Sequence, residues 1–366
     1  MQPMQTSHLK NERRKESVIL ALSGGVDSAA AAVLMQEKGY ACRGLMMGLY
    51  SQESSVQKER HRRDIRDARR LCEKLKIPFE YVDLAERFEE EVIAPFVRTY
   101  QAGKTPNPCL YCNKELKFGS LVRLAEERGS DYLATGHYAR VRFNPQTDKY
   151  ELLQAVNKAK DQSYVLYQLN QDILAKLKLP LGELSKEEVR RAARQRHLEI
   201  ADKADSQDIC FIPDGDYAAF IERYSNEKAR PGPFVLKDGT VIGEHQGLIH
   251  YTVGQRKGLG ISWSEALYVL ALDPARNAVV LGTKEESFRD QLRAEKANYI
   301  SGSPPEDGTV LTVRTRYRQE AQKVRFYAED AGHFRLEFEK PQPAVTPGQA
   351  AVLYDGEIVR GGGLIL

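Results

Sequence analysis

Val18-Ile-Leu-Ala-Leu-Ser-Gly-Gly-Val-Asp-Ser28 is the stretch whose reading decides the fold. Val18 to Leu22 is an apolar run of the length that suits one buried strand. Ser23-Gly24-Gly25 breaks it, and Asp27-Ser28 leads into Ala29-Ala-Ala-Ala-Val-Leu-Met35, a strong helix former. The pattern predicts strand, glycine turn, helix. A helix start exposes unpaired N–H groups and the positive end of the helix dipole. Two adjacent glycines let the backbone approach a bulky anion, and Ser23 and Ser28 add hydroxyl donors. Asp27 is the odd member, because a carboxylate beside a phosphate repels it. Two readings remain open: Mg²⁺ held between acid and phosphates, or an Asp turned inward to cap the helix.

The loop is not a Walker A motif. Gly103-Lys104-Thr105 imitates the end of one, but the position of its first glycine is Arg98. Ser-Gly-Gly-x-Asp-Ser after a strand instead resembles the PP-loop of the ATP pyrophosphatase families. That resemblance implies cleavage of ATP between its α and β phosphates and adenylation of a substrate oxygen.

Working outward, Ala41 to Leu49 reads as a second buried strand and Gln52 to Lys76 as a basic helix. That helix has nine Lys/Arg against four Asp/Glu between Val56 and Lys76. It faces solvent or RNA. Phe79 to Val82 reads as a third strand and Glu86 to Tyr100 as a helix. Strands alternating with helices predict an α/β, doubly wound parallel sheet, with ligands beyond the carboxyl ends of its strands. With 366 residues and 42% apolar content, the chain is expected to hold two or three domains. No stretch approaches the ~20 apolar residues of a membrane span. Residues 1–16 are polar and are expected to form a disordered tail rather than a secretory signal. The net charge of +3 is too small to identify a nucleic-acid partner by itself. Five cysteines in a chain this long do not make a disulfide framework, so reduced thiols and a cytoplasmic location are expected.

Thr105-Pro-Asn-Pro-Cys-Leu-Tyr-Cys-Asn-Lys-Glu-Leu-Lys-Phe118 follows. Its prolines disfavour helix up to Pro108, and Asn113 is expected to cap a helix running to Arg128. Cys112 would then sit at a helix N-terminus near Lys114, both of which favour thiolate. Cys109-x-x-Cys112 reads as a metal corner, a redox pair or chance, and zinc would need a second pair that the chain lacks. Asp131 to Arg140 reads as a fourth strand with Gly136-His137 at its end. His137 there contacts RNA or completes a core network. Lys160-Asp161-Gln162-Ser163-Tyr164 is a nucleic-acid loop or a helix start, and Leu184 to Glu188 is a capped helix start. Cys210 lies in an apolar run after the polar stretch Lys203 to Asp208. By itself it reads as a buried structural cysteine.

From Pro231 the composition changes to short β-like runs with glycine turns. Phe234 to Leu236, Gly247 to Thr252, Tyr268 to Ala271 and Ala278 to Leu281 form one group. Val310 to Tyr317, Lys323 to Tyr327, Phe334 to Phe338, Ala350 to Tyr354 and Glu357 to Gly361 form another. They predict a small β-rich central domain and a C-terminal β-barrel. Gly254-Gln-Arg-Lys-Gly-Leu-Gly260 is a basic glycine loop suited to phosphates. Arg314, Arg316 and Arg318 are expected on one strand face with Tyr317 among them, a combination suited to RNA. The expected division is 1–16 tail, 17–215 ATP-binding domain, 216–283 central domain and 284–366 barrel.

Taken together, these segments carry a second, closer resemblance. Ser-Gly-Gly-Val-Asp-Ser, Asn-Pro-x-x-x-Cys-Asn-Lys-Glu, Ala-Thr-Gly-His-Tyr-Ala, Lys-Asp-Gln-Ser-Tyr, Ile-Cys-Phe-Ile, Tyr-Thr-x-Gly-Gln-Arg-Lys-Gly-Leu-Gly and Thr-Pro-Gly-Gln occur in that order. From about Val18 to the C-terminus the chain is similar to the bacterial tRNA 2-thiouridylases. The resemblance implies ATP-dependent sulfur transfer to C2 of the wobble uridine of tRNA. It implies ATP, with Mg²⁺, held by Ala21, Leu22, Ser23, Gly24, Gly25, Val26, Asp27, Ser28, Met47 and Gly136. Many relatives have Gly at the Ala21 position. It makes Cys210 the persulfide carrier, overturning the structural reading of that residue, and Cys112 the partner that forms a disulfide with it. Asn107, Pro108 and Cys109 match the positions that hold the target base, and some relatives have Asp at the Cys109 position. His137, Lys160, Asp161, Gln162, Arg316, Tyr317 and Gln349 match tRNA contacts. A sulfur-donor protein such as a cysteine desulfurase or a sulfur relay protein is implied as partner, and no membrane. Because of Cys109, an iron–sulfur cluster on Cys109, Cys112 and Cys210 is an alternative that is not favoured. Another PP-loop adenylating enzyme is a rival reading.

Overall fold

The computed structural model describes residues 14–50, 55–196 and 209–366. The expected disordered tail, the start of the helix expected at Gln52, and the polar stretch Lys203 to Asp208 fall wholly or partly outside those residues.

The first sheet contains β1 (Ser17–Leu22), β2 (Ala41–Gly48), β3 (Phe79–Asp83), β4 (Tyr132–Ala134) and β7 (Leu177–Lys178). Their order is β3-β2-β1-β4-β7 and every pairing is parallel. Helix α1 (Val26–Glu37) follows β1, and α2 (Ser55–Leu75) connects β2 to β3. The alanine run of α1 explains its position. Ala29, Ala30 and Ala32 are almost fully buried, so the small side chains let the helix lie close to the sheet. Strand order reverses between β1 and β4. The turns after these two strands therefore flank the crevice where doubly wound sheets bind ligands.

The chain between β4 and β7 departs from a simple doubly wound pattern. The expected fourth strand is β4, which ends just ahead of Gly136-His137 as read, and a further strand, β5 (Ala139–Asn144), follows them. A hairpin joins β5 to β6 (Lys149–Gln154), and β6 pairs with β17 (Ile358–Ile365) through Leu153↔Ile358 and Leu152↔Val359. Leu152, Tyr164 and Val359 occupy one buried cluster, so the two ends of the chain share a core.

The middle of the chain forms a four-stranded sheet of order β10-β11-β8-β9. Its strands are β8 (Gly232–Val235), β9 (Val241–His245), β10 (Tyr268–Asp273) and β11 (Ala278–Gly282). The run Gly247 to Thr252, expected to be β-like, is instead a single tight turn at Leu248–His250. The remaining strands are β12 (Phe288–Tyr299), β13 (Val310–Arg314), β14 (Gln322–Ala328), β15 (Phe334–Pro343) and β16 (Ala350–Asp355). With β17 they run β12-β15-β14-β13-β16-β17, and pairing of β12 with β17 closes the barrel. Phe326, Phe334, Leu336 and Leu353 fill it. Closure removes every exposed edge from this unit.

Candidate active site

The loop after β1 has the geometry of an anion cradle. Gly25 is the N-cap of α1 in an extended conformation, and no side chain caps the helix. The first N–H groups of α1 are therefore not taken up by a capping side chain. Gly24 has φ +69°, and a Cβ there would lie 2.8 Å from Cα of Asp64 on α2, so both conformation and space demand glycine. Ser28 Oγ donates to the Gly25 carbonyl at 2.9 Å and accepts from the Ser23 backbone N–H at 3.2 Å. The loop is thus held from within. Gly136, beyond β4, backs onto it: a Cβ would meet the Asp27 carbonyl carbon and the Ser28 nitrogen at 2.8 Å.

Asp27 does not cap α1, which removes the capping alternative. Its Oδ1 accepts from Tyr138 Oη at 2.8 Å and from Lys186 Nζ at 2.7 Å. Lys186 is 8% exposed and begins the helix Lys186–Gln195, whose Ser185/Glu188 capping box holds it in place. Neither Tyr138 nor Lys186 stood out in the sequence. Lys186 left one cue, since a cation in the first turn opposes the helix dipole and needs a counter-charge. A glycine turn, an uncapped helix start and the hydroxyls of Ser23 and Ser28 suit a nucleoside triphosphate, so the residues present fit ATP. Leu22 is buried beneath the loop. Met47 is half-buried and packs against both cores that meet at the ends of β1 and β2.

The thiols follow from a helix that starts earlier than expected. The chain is helical over 108–127, and it is Asn107, not Asn113, that caps it, accepting from Cys109 N–H at 3.1 Å. Pro108 suits the first helical position, where its missing N–H costs nothing. Asn113 is buried and donates back to the Cys109 carbonyl at 2.9 Å. Cys112 therefore lies inside the helix, in a core with Phe96, Leu116, Phe211 and Ile212. Burial pushes its thiol up to about 12, with Lys117 opposing and Cys210 and Cys109 adding. The expected thiolate-rich Cys112 is corrected: desolvation outweighs the neighbouring charges. Cys109 and Cys210 are exposed. The surrounding protein raises the Cys109 thiol, again with Lys117 opposing and Cys210 adding. Three thiols from segments a hundred residues apart therefore feel one another's charge. Among the described residues no group of three or more His, Cys, Asp or Glu side chains is arranged to hold a metal, so the cluster alternative gains no support.

A raised thiol pKa sets a measurable rate. The thiolate fraction of Cys112 should grow about tenfold per pH unit up to about 12, whereas an ordinary free thiol levels off near ~8.5. Alkylation mapped by mass spectrometry should label Cys210 and Cys109 first at pH 8. Cys112 labelling should still be climbing beyond pH 10. A plateau for Cys112 below pH 9 would contradict its buried, neutral state.

The residues expected to meet tRNA divide into buried and surface sets. His137 is buried; Thr135 Oγ1 lies 2.8 Å from its Nδ1, and Lys117 Nζ 3.5 Å from its Nε2. Burial, then the Lys117 charge, drives its pKa well below the usual value, so the ring is neutral. Asp161 is fully enclosed and accepts from Ala155 N–H, Ser163 N–H and Ser163 Oγ. Arg314 Nη1 completes it at 2.9 Å. The expected basic strand face is corrected here, because β13 ends at Arg314, whose guanidinium turns inward. Arg316, Tyr317 and Arg318 occupy the following turn. Replacing Arg314 by Leu would leave a buried carboxylate without its cation. A loss of about 3–5 kcal/mol is expected, readable as a lower denaturant midpoint with an unchanged slope. A midpoint within error of wild type would show that the ion pair adds nothing.

Gln162 accepts from Tyr138 N–H at 2.9 Å and also bonds to Tyr317, whose ring meets Tyr164 edge-on. Tyr317 in turn feels Cys109. Arg316 Nη2 donates to the Ala344 carbonyl at 2.8 Å and to Thr346 Oγ1 at 2.9 Å. Gln349 Nε2 donates to the Thr105 carbonyl at 2.8 Å. Lys160 precedes this network and is half-exposed. The barrel thereby clamps the chain just ahead of Asn107, Pro108 and Cys109.

Comparison with known proteins gives a consistent result. The family model described as tRNA methyl transferase HUP domain matches residues 16–214. Models described as tRNA methyl transferase PRC-barrel domain and aminomethyltransferase beta-barrel domain match 218–283 and 289–365. A tRNA-specific 2-thiouridylase MnmA of Lachnoclostridium phytofermentans is 44% identical over 96% of this chain and 99% of its own. One of Acidithiobacillus ferrooxidans is 44% identical over 96% and 98%. A solved 4-thiouridine synthetase–RNA complex with bound ATP is similar over 57% of this chain and 50% of its own at 17% identity, with a TM-score of 0.33. With a glycine cradle on a doubly wound sheet, a middle β unit, a closed barrel and near full-length identity of this order, the chain belongs to the tRNA-specific 2-thiouridylase family.

Proposed function

We propose that this protein is an ATP-dependent tRNA sulfurtransferase that replaces O2 of the wobble uridine with sulfur, acting in the cytoplasm. The observation that carries this reading is that Cys112 shares one core with Phe211 and Ile212, the residues that follow Cys210, beside a barrel clamp on the segment that carries Cys109. Uridine O2 is a poor leaving group. Adenylation by ATP, with loss of pyrophosphate, turns it into one. The chain's own residues then supply the rest. Ser23, Gly24, Gly25, Val26 and Ser28 bind the phosphates, and Ala21, Leu22, Met47 and Gly136 flank the nucleotide. Asp27 would hold Mg²⁺ if the ion accompanies ATP.

Cys210 carries the incoming sulfur as a persulfide received from a sulfur-donor protein. Its terminal sulfur attacks C2, and AMP departs with the original oxygen. The Cys112 thiolate attacks Cys210 and breaks the persulfide S–S bond, leaving a Cys112–Cys210 disulfide for later reduction. Asn107, Pro108 and Cys109 hold the base. His137, Lys160, Asp161, Gln162, Arg316, Tyr317 and Gln349 form or support the tRNA surface, with Asp161 and His137 acting from beneath it. The functional units proposed are 17–215 for ATP binding and catalysis, 216–283 as a central domain and 284–366 as the barrel.

The test is direct. The purified chain, tRNA, ATP and a persulfide source should yield AMP, pyrophosphate and 2-thiouridine detected by nucleoside mass analysis. ADP and phosphate as products, or unmodified uridine, would refute the assignment.

A further inference from the structure

The basic glycine loop of the central unit has no role in the chemistry above. Arg256 and Lys257 are exposed at its tip, and neither has an ion-pair partner among the described residues. They are not on a loose loop. Gly254 N–H donates to the Val269 carbonyl at 2.8 Å, and Val269 N–H returns to the Gln255 carbonyl at 2.9 Å. Gln255 Oε1 accepts from Thr252 N–H at 3.0 Å, and its Nε2 donates to the Lys257 carbonyl at 3.0 Å. Leu259 and Leu267 plug both sides into the core of the central sheet. The backbone that carries the two cations is already ordered, so binding an anion costs only the freedom of their side chains.

The loop also borders an open cleft of about 390 Å³ that continues past Trp263 and Glu265. Trp263 is 45% exposed and is the only tryptophan in the chain. At its base the loop is joined to the base-holding segment. Thr252 Oγ1 lies 3.4 Å from Thr105 Oγ1, and the Val253 carbonyl accepts from Thr346 Oγ1 at 3.2 Å and from Arg316 Nη2 at 3.4 Å. Hydrogen bonds thus run from Thr105, two residues ahead of Asn107, through Thr252 and Gln255 to the loop that carries the two cations, and the cleft beside that loop is lined by Trp263.

We propose that Arg256, Lys257 and Trp263 form a second RNA-contact patch that engages the body of the same tRNA whose uridine lies at Cys109. The cations take backbone phosphates, and the indole stacks on a base or ribose. Glu265 also lines the cleft, and its carboxylate repels phosphate there. The inference rests on the proposed tRNA activity. It extends the substrate surface to a residue that reports on itself.

With wild-type protein, selective excitation of Trp263 should show quenching or a shifted emission that saturates as tRNA is added, after correction for RNA absorbance. The double variant Arg256→Ala/Lys257→Ala should weaken tRNA binding on the order of tenfold, and reduce the slope of log K against log salt by about 1.4–1.8 for two lost phosphate contacts. Glu265→Gln should act in the opposite direction. If the wild type thiolates tRNA while Trp263 emission and the salt slope of the double variant stay unchanged, this patch is wrong and the activity stands. If the wild type neither binds nor thiolates tRNA, both fall.

Discussion

Cys112→Ser and Cys210→Ser should each lower tRNA thiolation by roughly three orders of magnitude or more, while tRNA-dependent pyrophosphate release continues. The two readouts separate because adenylation needs the phosphate cradle and the base pocket but no thiol. Cys210 is exposed, so serine there perturbs little else. Cys112 is 9% exposed in a core with Phe96, Leu116 and Phe211, and a serine hydroxyl there risks an unpaired polar group. Cys112→Ala is therefore the companion variant, and both should give the same result. Cys109→Asp should keep most activity, since Cys109 is exposed and its fixed feature is a backbone N–H bonded to Asn107.

A single turnover without reductant should end with a Cys112–Cys210 disulfide in wild type, visible by mass analysis. Full thiolation by Cys210→Ser would remove that residue from the sulfur path. Inactivity of Cys109→Asp, together with iron and broad visible absorption in anaerobically purified protein, would replace the persulfide route with a cluster.

The high Cys112 pKa makes this prediction sharper. A neutral thiol buried near Lys117 reacts slowly until something draws its proton or opens the core. That suits a group meant to act second. A thiolate already present could attack the Cys210 persulfide before the uridine arrived and waste the sulfur.

The parts of this site legible in the sequence were those fixed by local chemistry. Ser23-Gly24-Gly25 could only be a turn, and the apolar run before it could only be a buried strand. The Ser185/Glu188 capping box was visible for the same reason. What failed depended on partners distant in sequence. Arg314 reads as a solvent-facing cation until Asp161, 153 residues away, is placed beside it. The 12-residue strand β12, with Arg289, Asp290, Arg293, Glu295 and Lys296 beside Leu292, Ala294 and Ala297, has a helix-like composition, and only barrel closure against β15 and β17 makes it a strand. The environment of Cys112 turns on a cap. Asn107 and Asn113 both qualify by type, and the choice between them moved the thiol from a helix start into a core. The hairpin β5–β6 was not foreseen because its partner strand lies at the other end of the chain.

Gly136→Ala and Asp27→Asn should each abolish most ATP turnover, for different reasons. A Cβ on residue 136 would sit 2.8 Å from the Asp27 carbonyl carbon and the Ser28 nitrogen, which are backbone atoms that cannot swing aside. The helix start must then shift by an appreciable fraction of an ångström. A displacement near 1 Å at a reacting centre costs about 100-fold, so kcat/KM for ATP should fall on that order, with KM raised. Asp27→Asn keeps the shape of the side chain and an acceptor for Tyr138 Oη, but it removes the charge that Lys186 faces at 2.7 Å. It is preferable to Asp27→Ala because Lys186 is nearly buried and loses its anion without a cavity being added. If Asp27 acts by holding a cation at the phosphates, Asp27→Asn should lose turnover while nucleotide binding without divalent ions is preserved or strengthened. If it acts only by anchoring Lys186 and the helix Lys186–Gln195, binding and stability should fall together. Normal pyrophosphate release by Asp27→Asn would show that the carboxylate serves neither purpose.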